Sequence, residues 1–436
     1  MNKKLLLVIG AILLIATIGG VIFAIINKDD STDLTNNSAI SITYWGLWEP
    51  PEVMASLISD YEKENPNVKI NYVRKSFSQY ETSLSNQLAQ PASPDIVRIH
   101  NTWTPMLQKY LTPMPSNVMT LSTYTSTFYG TAKEAFSGTD GQIYAIPLEV
   151  DSLLMFYNKD LFEKEGIESP PENWDDLVDI AKQLTKTSDD TITQAGAAIG
   201  SINNIRHADE ILALLYLQNG ADVIDGTTID LSDDKFIKAI GFYTDFINTH
   251  KVWNDGFGDD LQMFIDGKLG IMFAPSWRVF DIMKSNPNIN FDVAPMPQAI
   301  GVELDSSNAV QLASYWGEAV SKNSKNKDVA WDFIRFLSEK EQMQKFYANS
   351  IQYDQRAFGE PCSRIDLSSS LNSSPYVNVI MSTAPRMKQI PLLDKTTQME
   401  MFYPLVKQKL SSTTLTPTLL AQIQEQIQSK INNYSQ

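Results

Sequence analysis

The chain has 436 residues, 43% of them hydrophobic and 20% charged, which is enough apolar material for two or three globular domains and excludes disorder throughout. Lys plus Arg number 35 against 51 Asp plus Glu, and a net charge of −16 has the wrong sign for nucleic acid, whose phosphates require cationic contacts. A single cysteine, Cys362, excludes an intrachain disulfide and a cysteine zinc cluster, and three histidines (His100, His207, His250) leave little for a histidine site, so neither metal nor cofactor is expected.

Lys3 and Lys4 precede an uncharged stretch from Leu5 to Ile26. As a helix it would be about 33 Å long, enough to cross a bilayer and longer than the apolar part of most signal peptides. No small-x-small cleavage site follows it, and no cysteine is available for a lipid anchor. The stretch reads as a signal anchor (residues 1–26) rather than a cleaved signal peptide or a buried core helix. The basic flank places the N-terminus in the cytoplasm and residues 27–436 outside. Residues 27–39 are polar and read as a flexible tether.

Ile40, Ile42 and Tyr44 alternate, which predicts a strand ending near Trp45. Pro50 and Pro51 open a helix carrying Val53, Met54, Leu57, Ile58 and Tyr61, and Asn65-Pro66 ends it. Strands at 68–73 and 94–100 flank a helix around 77–89, and this β-α-β-α-β order predicts an α/β layer with a parallel sheet. Further strands are read at 143–150, 153–159, 270–275 and 291–297. Helices are read after Pro170-Pro171, around Phe236–Ile247, around Val329–Leu337 and over most of 396–433. So many α/β units exceed one core, and two lobes are expected.

Ligands of open α/β sheets bind beyond the carboxyl ends of strands. Those positions hold Trp45, Trp48 and Glu49; His100, Asn101 and Trp103; Trp277 and Arg278; and Tyr315, Trp316 and Glu318. Flat rings beside polar groups suit a ligand with apolar faces and hydroxyl edges, such as a sugar. Any one of these tryptophans could equally be a packing residue, but five at strand ends point to a shared pocket. Glu49, Glu149, Asp151 and Glu318 also leave open a glycosidase, which needs two carboxyl groups across the scissile bond. A tethered adhesive module is a third reading. The run DGFGDD (255–260) lacks the alternating carboxylates of a calcium loop and reads as a turn at a helix start. His100 and His207 read as packing or surface residues.

Four stretches resemble the extracellular solute-binding proteins of family 1, the maltose-binding type that serves ATP-driven sugar importers. They are ITYWGLWEPPEVMASLISDYEKENPNVKINYV (42–73), SPDIVRIHNTW (93–103), IYAIPLEVDSLLMFYNKDLFEKEGIESPPENWDDLVDIAKQLT (143–185), and FIDGKLGIMFAPSW with NFDVAPMPQ and WGEAVSKNSKNKDVAWDFIRFLSEKEQ. The resemblance implies an α/β two-lobe periplasmic-binding-protein fold (type II), with discontinuous lobes joined by crossing strands and, here, preceded by the transmembrane helix. One lobe would take 40–147 and 298–338, the other 148–297 and 339–436. It implies a monomeric binding protein, not an enzyme, that hands a sugar or oligosaccharide to permease subunits; a cationic, polyamine-like solute is the runner-up. Position by position it implies ligand contacts at Trp48, Glu49, Asn101, Thr102, Trp103, Asp151, Trp277 and, with looser alignment, Tyr403. Arg356 sits where relatives often carry P-x-R, although no proline precedes it here.

Overall fold

The protein is described by a computed structural model, which covers residues 39–390, 393–412 and 414–434. The expected anchor and nearly all of the expected tether lie outside the described residues. Among those described, no helix is long and apolar enough to cross a membrane.

In chain order the strands are β1 (Ile40–Gly46), β2 (Val68–Arg74), β3 (Ile96–His100), β4 (Leu111–Thr112), β5 (Ile146–Asn158), β6 (Lys186–Ser188) and β7 (Thr191–Ala197). Then come β8 (Ile224–Asp225), β9 (Thr228–Ile229), β10 (Leu269–Pro275), β11 (Phe291–Ala294), β12 (Gln311–Ser321) and β13 (Met387–Lys388). The main sheet runs β2-β1-β3-β12-β5-β10-β7-β6; β4 and β13 add to β12, β11 adds to β5, and β8 and β9 form a separate hairpin.

Local sequence explains these elements. In β1, Ile42 and Tyr44 are fully buried while Ser41 faces solvent, the period of two that a pleated strand imposes. The helix Pro51–Glu64 begins on a proline, whose missing N–H costs nothing there, and buries Val53, Met54, Leu57 and Tyr61 along one stripe. It returns the chain so that β1 lies parallel to β3, with Tyr44 opposite Ile96. The helix Trp174–Leu184 is capped by Asn173, whose side chain accepts from the Asp176 N–H at 2.9 Å.

The two strands expected at 143–150 and 153–159 are one strand of 13 residues. No turn-forming glycine or proline interrupts Val150-Asp151-Ser152-Leu153, and each part finds a different partner. Ile146–Ser152 pairs with β12, whereas Leu153–Asn158 pairs with β10 and β11. β5 is therefore shared by a half-sheet of β2, β1, β3 and β12 and another of β10, β11, β7 and β6. The β5–β12 pairing shifts register at the Trp316–Gly317 step, where Glu149 faces Trp316 but Pro147 faces Gly317. Leu148 is the extra residue of this bulge. A side chain at 317 would meet the Ile146 carbonyl oxygen at 3.0 Å and the Phe136 ring at 2.8 Å, so glycine is required at this close approach.

The segment after residue 339, assigned by sequence to one lobe, touches both half-sheets. The helix Lys340–Asp354 packs on Pro51–Glu64, with the Asn349 amide donating to the Val53 carbonyl at 2.8 Å. The helix Lys395–Ser411 packs on Asp234–Asn248 through Phe402 and Phe236, whose rings are 6.2 Å apart. In the last helix, Pro417–Tyr434, Gln424 and Gln428 accept from the Leu231 and Ile229 N–H groups, while the Gln108 side chain donates to the Tyr434 carbonyl.

Candidate functional site

A cavity of about 370 Å³ opens where β5, β10 and β12 meet. Its aromatic lining comes from both half-sheets. Trp48, in the loop after β1, meets Trp316 of β12 edge-to-face at 4.7 Å, and Phe77 lies 5.8 Å from Trp48. Behind Trp316 stand Trp103 at 5.2 Å and His100 at 4.9 Å. The other contributors are Trp277, Phe280 and Phe358, with the last two rings 4.5 Å apart. Trp277 follows the end of β10 and caps the helix Arg278–Ser285, so Trp277 and Phe280 fall three residues apart on one helical face. The Arg278 guanidinium stacks 3.9 Å from the Trp277 ring and pairs with Asp281 at 2.8 Å.

The polar lining has two parts. Arg98 of β3 is 1% exposed and bonds three carboxylates: Glu49 at 2.9 Å, Glu149 of β5 at 2.6 Å and Glu318 of β12 at 2.8 Å. Burial raises the proton affinity of Glu149 and Glu318, with Arg98 working against it. Burial opposes the Arg98 charge, but the three glutamates prevail and hold its pKa well above the ordinary arginine value. Asp151, two residues further along β5, forms no ion pair among the described residues. It accepts from the Ser152 N–H at 2.7 Å and from the Ser276 N–H at 3.2 Å. Burial pushes its carboxyl up to about 7 despite these two donors.

The C-terminal segment completes the wall. Gln355 adopts φ +53° and reverses the chain after the helix Lys340–Asp354. The following residues run beside β5, where the Val150 N–H donates to the Pro361 carbonyl at 2.9 Å. Phe358, Glu360 and Arg356 thereby reach the cavity. Arg356 pairs with Asp354 and Glu360. Glu49, Glu149 and Glu360 converge closely enough to suggest a metal, but the Arg98 and Arg356 guanidinium groups already occupy that space.

Of the residues expected from sequence, Trp48, Asp151, Trp277, Trp316 and Arg356 line the cavity. The structure places the others elsewhere. Trp45 lies under the Lys75 ammonium, 3.6 Å from its ring. Glu49 is buried on Arg98, and Trp103 is 4% exposed behind Trp316. Asn101 is buried, its side-chain oxygen accepting from the Tyr315 N–H at 3.0 Å. Tyr315 neighbours Trp316 along β12, so it faces the opposite side and is wholly buried. Arg278 supports Trp277 and is not part of the lining. Tyr403, 40% exposed, belongs to a separate surface depression with Met399 and Pro404. Sequence reasoning missed Phe77, Phe280, Asp281, Ser276, Ser314, Phe358 and Glu360, and it named Glu149 only as a candidate hydrolytic acid. The spacing of Phe280 from Trp277 was the one usable signal.

The Asp-rich run staples loops. Asp255 accepts from Ser201 and Asn203, Asp259 pairs with Arg206 at 2.7 Å, and Asp260 accepts from the Leu261 N–H. His100 bridges Thr102 and Ser314, and burial lowers its pKa to about 4; His207 pairs with Glu210 at 2.8 Å. Cys362 is buried and its thiol is pushed up to about 12, which removes its nucleophilicity.

A crossing strand shared by two half-sheets, with a ring-lined cavity beside it, defines a cleft-type binding protein. The family model described as bacterial extracellular solute-binding protein matches residues 48–344, and the chain belongs to that family. It is 25% identical over 318 residues to the diacetylchitobiose binding protein DasA of Streptomyces coelicolor, covering 69% of this chain and 70% of that one. It is 24% identical over 231 residues to a maltooligosaccharide ABC transporter solute-binding lipoprotein of Streptococcus pneumoniae, covering 50% of each. Among solved structures, the sugar-binding protein MalE of Xanthomonas citri superposes with a TM-score of 0.71 at 18% identity, covering 90% of this chain and 98% of that one. The likeness identifies the α/β two-lobe periplasmic-binding-protein fold.

Proposed function

We propose that the chain binds a sugar or oligosaccharide in this cleft and presents it, unchanged, to the permease of an ATP-driven importer. The observation that carries the reading is the opposition of Trp48, Phe77 and Trp316 to Trp277, Phe280 and Phe358 across one cavity, with carboxyl and hydroxyl groups between them. Sugar rings offer C–H faces to such aromatics and hydroxyl edges to the polar groups. The family and the sugar-binding relatives support the same choice. Closure would follow from a ligand that touches both half-sheets and so binds the closed arrangement more tightly.

The hydrolase reading loses its acid pair, because Glu49, Glu149 and Glu318 all bond one guanidinium. We further propose that residues 1–26 anchor the chain, that residues 27–436 lie outside the cytoplasm, and that the protein acts as a monomer. The lobe division proposed from sequence is kept, with the helix Lys340–Asp354 joined to the lobe of β1–β3 on the strength of its packing. A thermal-shift screen against mono- and oligosaccharides tests the main reading. A true ligand at about 100 times its Kd adds about 2.7 kcal/mol of stability. A panel in which no saccharide shifts the transition, or in which the sugar is recovered cleaved, overturns it.

A further inference from the structure

We infer that the saccharide selected by this cleft carries a protonated amine, for which Asp151 is the counter-ion. The inference rests on the saccharide reading above and narrows it to amino sugars. The carboxyl groups of the cavity differ in whether a cation reaches them. Arg98 already serves three carboxylates, Arg356 serves two, and Arg278 serves one. Asp151 has none, although it lines the same cavity. Glu210, which also acts on it, does not help: it is another anion and pairs with His207. Six carboxyl groups of the region thus each bond one of three guanidinium groups, and Asp151, with no ion pair among the described residues, stands among aromatic rings.

A half-buried carboxylate without a cation is costly, and here desolvation raises the proton affinity of Asp151 into the neutral range. A neutral hydroxyl would relieve that cost with one hydrogen bond. An ammonium would relieve it with a full opposite charge and three donors, and the indole faces of Trp48, Trp277 and Trp316 would attract the same cation. A metal ion is the poorer candidate, because the carboxylates that converge among the described residues are already held by guanidinium groups.

The test titrates the protein by calorimetry at near-neutral pH with matched disaccharides of gluco, galacto and manno configuration. Each scaffold is supplied with a 2-amino, a 2-acetamido or a 2-hydroxyl group. The inference expects the amino form of at least one scaffold to bind about tenfold or more tightly than its two neutral counterparts. It expects that preference to shrink with added salt and to vanish in Asp151→Asn, a near-isosteric change whose folding is checked by its thermal transition. Neutral forms that bind as tightly as the amino forms, or more tightly, overturn the amine assignment and leave the saccharide reading standing. Absence of binding by every form, together with no stabilisation in the wider saccharide screen, overturns both. An amine preference that survives in Asp151→Asn overturns the role of Asp151.

Discussion

Glu149 and Asp151 sit two residues apart on β5 and line one cavity, yet their surroundings differ. Glu149 belongs to a closed ionic cluster in which Arg98 ties together β3, β5, β12 and the loop after β1. Asp151 is met by the Ser152 and Ser276 N–H groups and the Ser276 hydroxyl, with no ion pair among the described residues. In the first arrangement a cation of the protein reaches every carboxyl group; in the second none does among the described residues, and the amine proposed above would supply it. A carboxylate in a cleft is thus no evidence of ligand contact until its cations have been counted.

The sharpest way to break the comparison is to remove the cation from the finished side. Arg98→Leu strands three buried carboxyl groups, and such a loss costs about 3–5 kcal/mol. Urea unfolding near neutral pH is expected to show that loss, and mild acid is expected to recover part of it by protonating Glu149 and Glu318. On the open side, Trp277→Ala is expected to weaken ligand binding by about 2 kcal/mol, roughly 30-fold, through lost stacking. The residue is 43% exposed, so its unfolding midpoint is expected to stay nearly unchanged. Equal losses in binding and stability would place Trp277 with the structural residues.

Asp151→Asn probes the unpaired charge without any ligand. Its folded-state pKa of about 7 lies above the unfolded value, so the folded protein binds this proton more tightly. The ligand-free protein therefore loses stability as pH rises from about 4 to about 7. The variant escapes this loss, and at about pH 8 it is expected to be more stable by roughly 1–2 kcal/mol, with no difference near pH 4. Thermal melts at the two pH values decide it; a variant less stable at the higher pH would mean that the carboxylate is matched by a cation after all. The smallest effect is expected from Tyr403→Ala, which lies outside the cavity and should leave affinity unchanged within about twofold and stability within about 0.5 kcal/mol.

Much of the fold was legible because the early units obey strict periods: Ile42 and Tyr44 alternate, and Val53, Met54, Leu57 and Tyr61 form a helical stripe. β5 was misread as two strands because a sequence does not show that its two parts change partners. In the site, Trp48 and Trp277 leave strand ends and line the cavity, whereas Trp103, which also follows a strand, is packed behind Trp316. Tyr315 and Trp316 are adjacent aromatics, and only the register of β12 decides which one reaches the cleft. Phe358 and Glu360 depend on the reversal at Gln355 and on pairing with β5 across two hundred residues of chain, which no local pattern encodes.

The extra residue at Leu148 is absorbed by the bulge, so its loss would leave Glu149 opposite Trp316, whereas the residues after it are read in strict frame. Loss of Val150 from the regular part would instead make the strand beyond it slip by one place against β12, and each side chain there would exchange sides. Asp151 would then stand opposite Tyr315 and turn toward the other layer, away from the cavity. The solute preference of this protein is thus written partly in the length of a strand, and a one-codon deletion could rewrite it more completely than a substitution within the cavity.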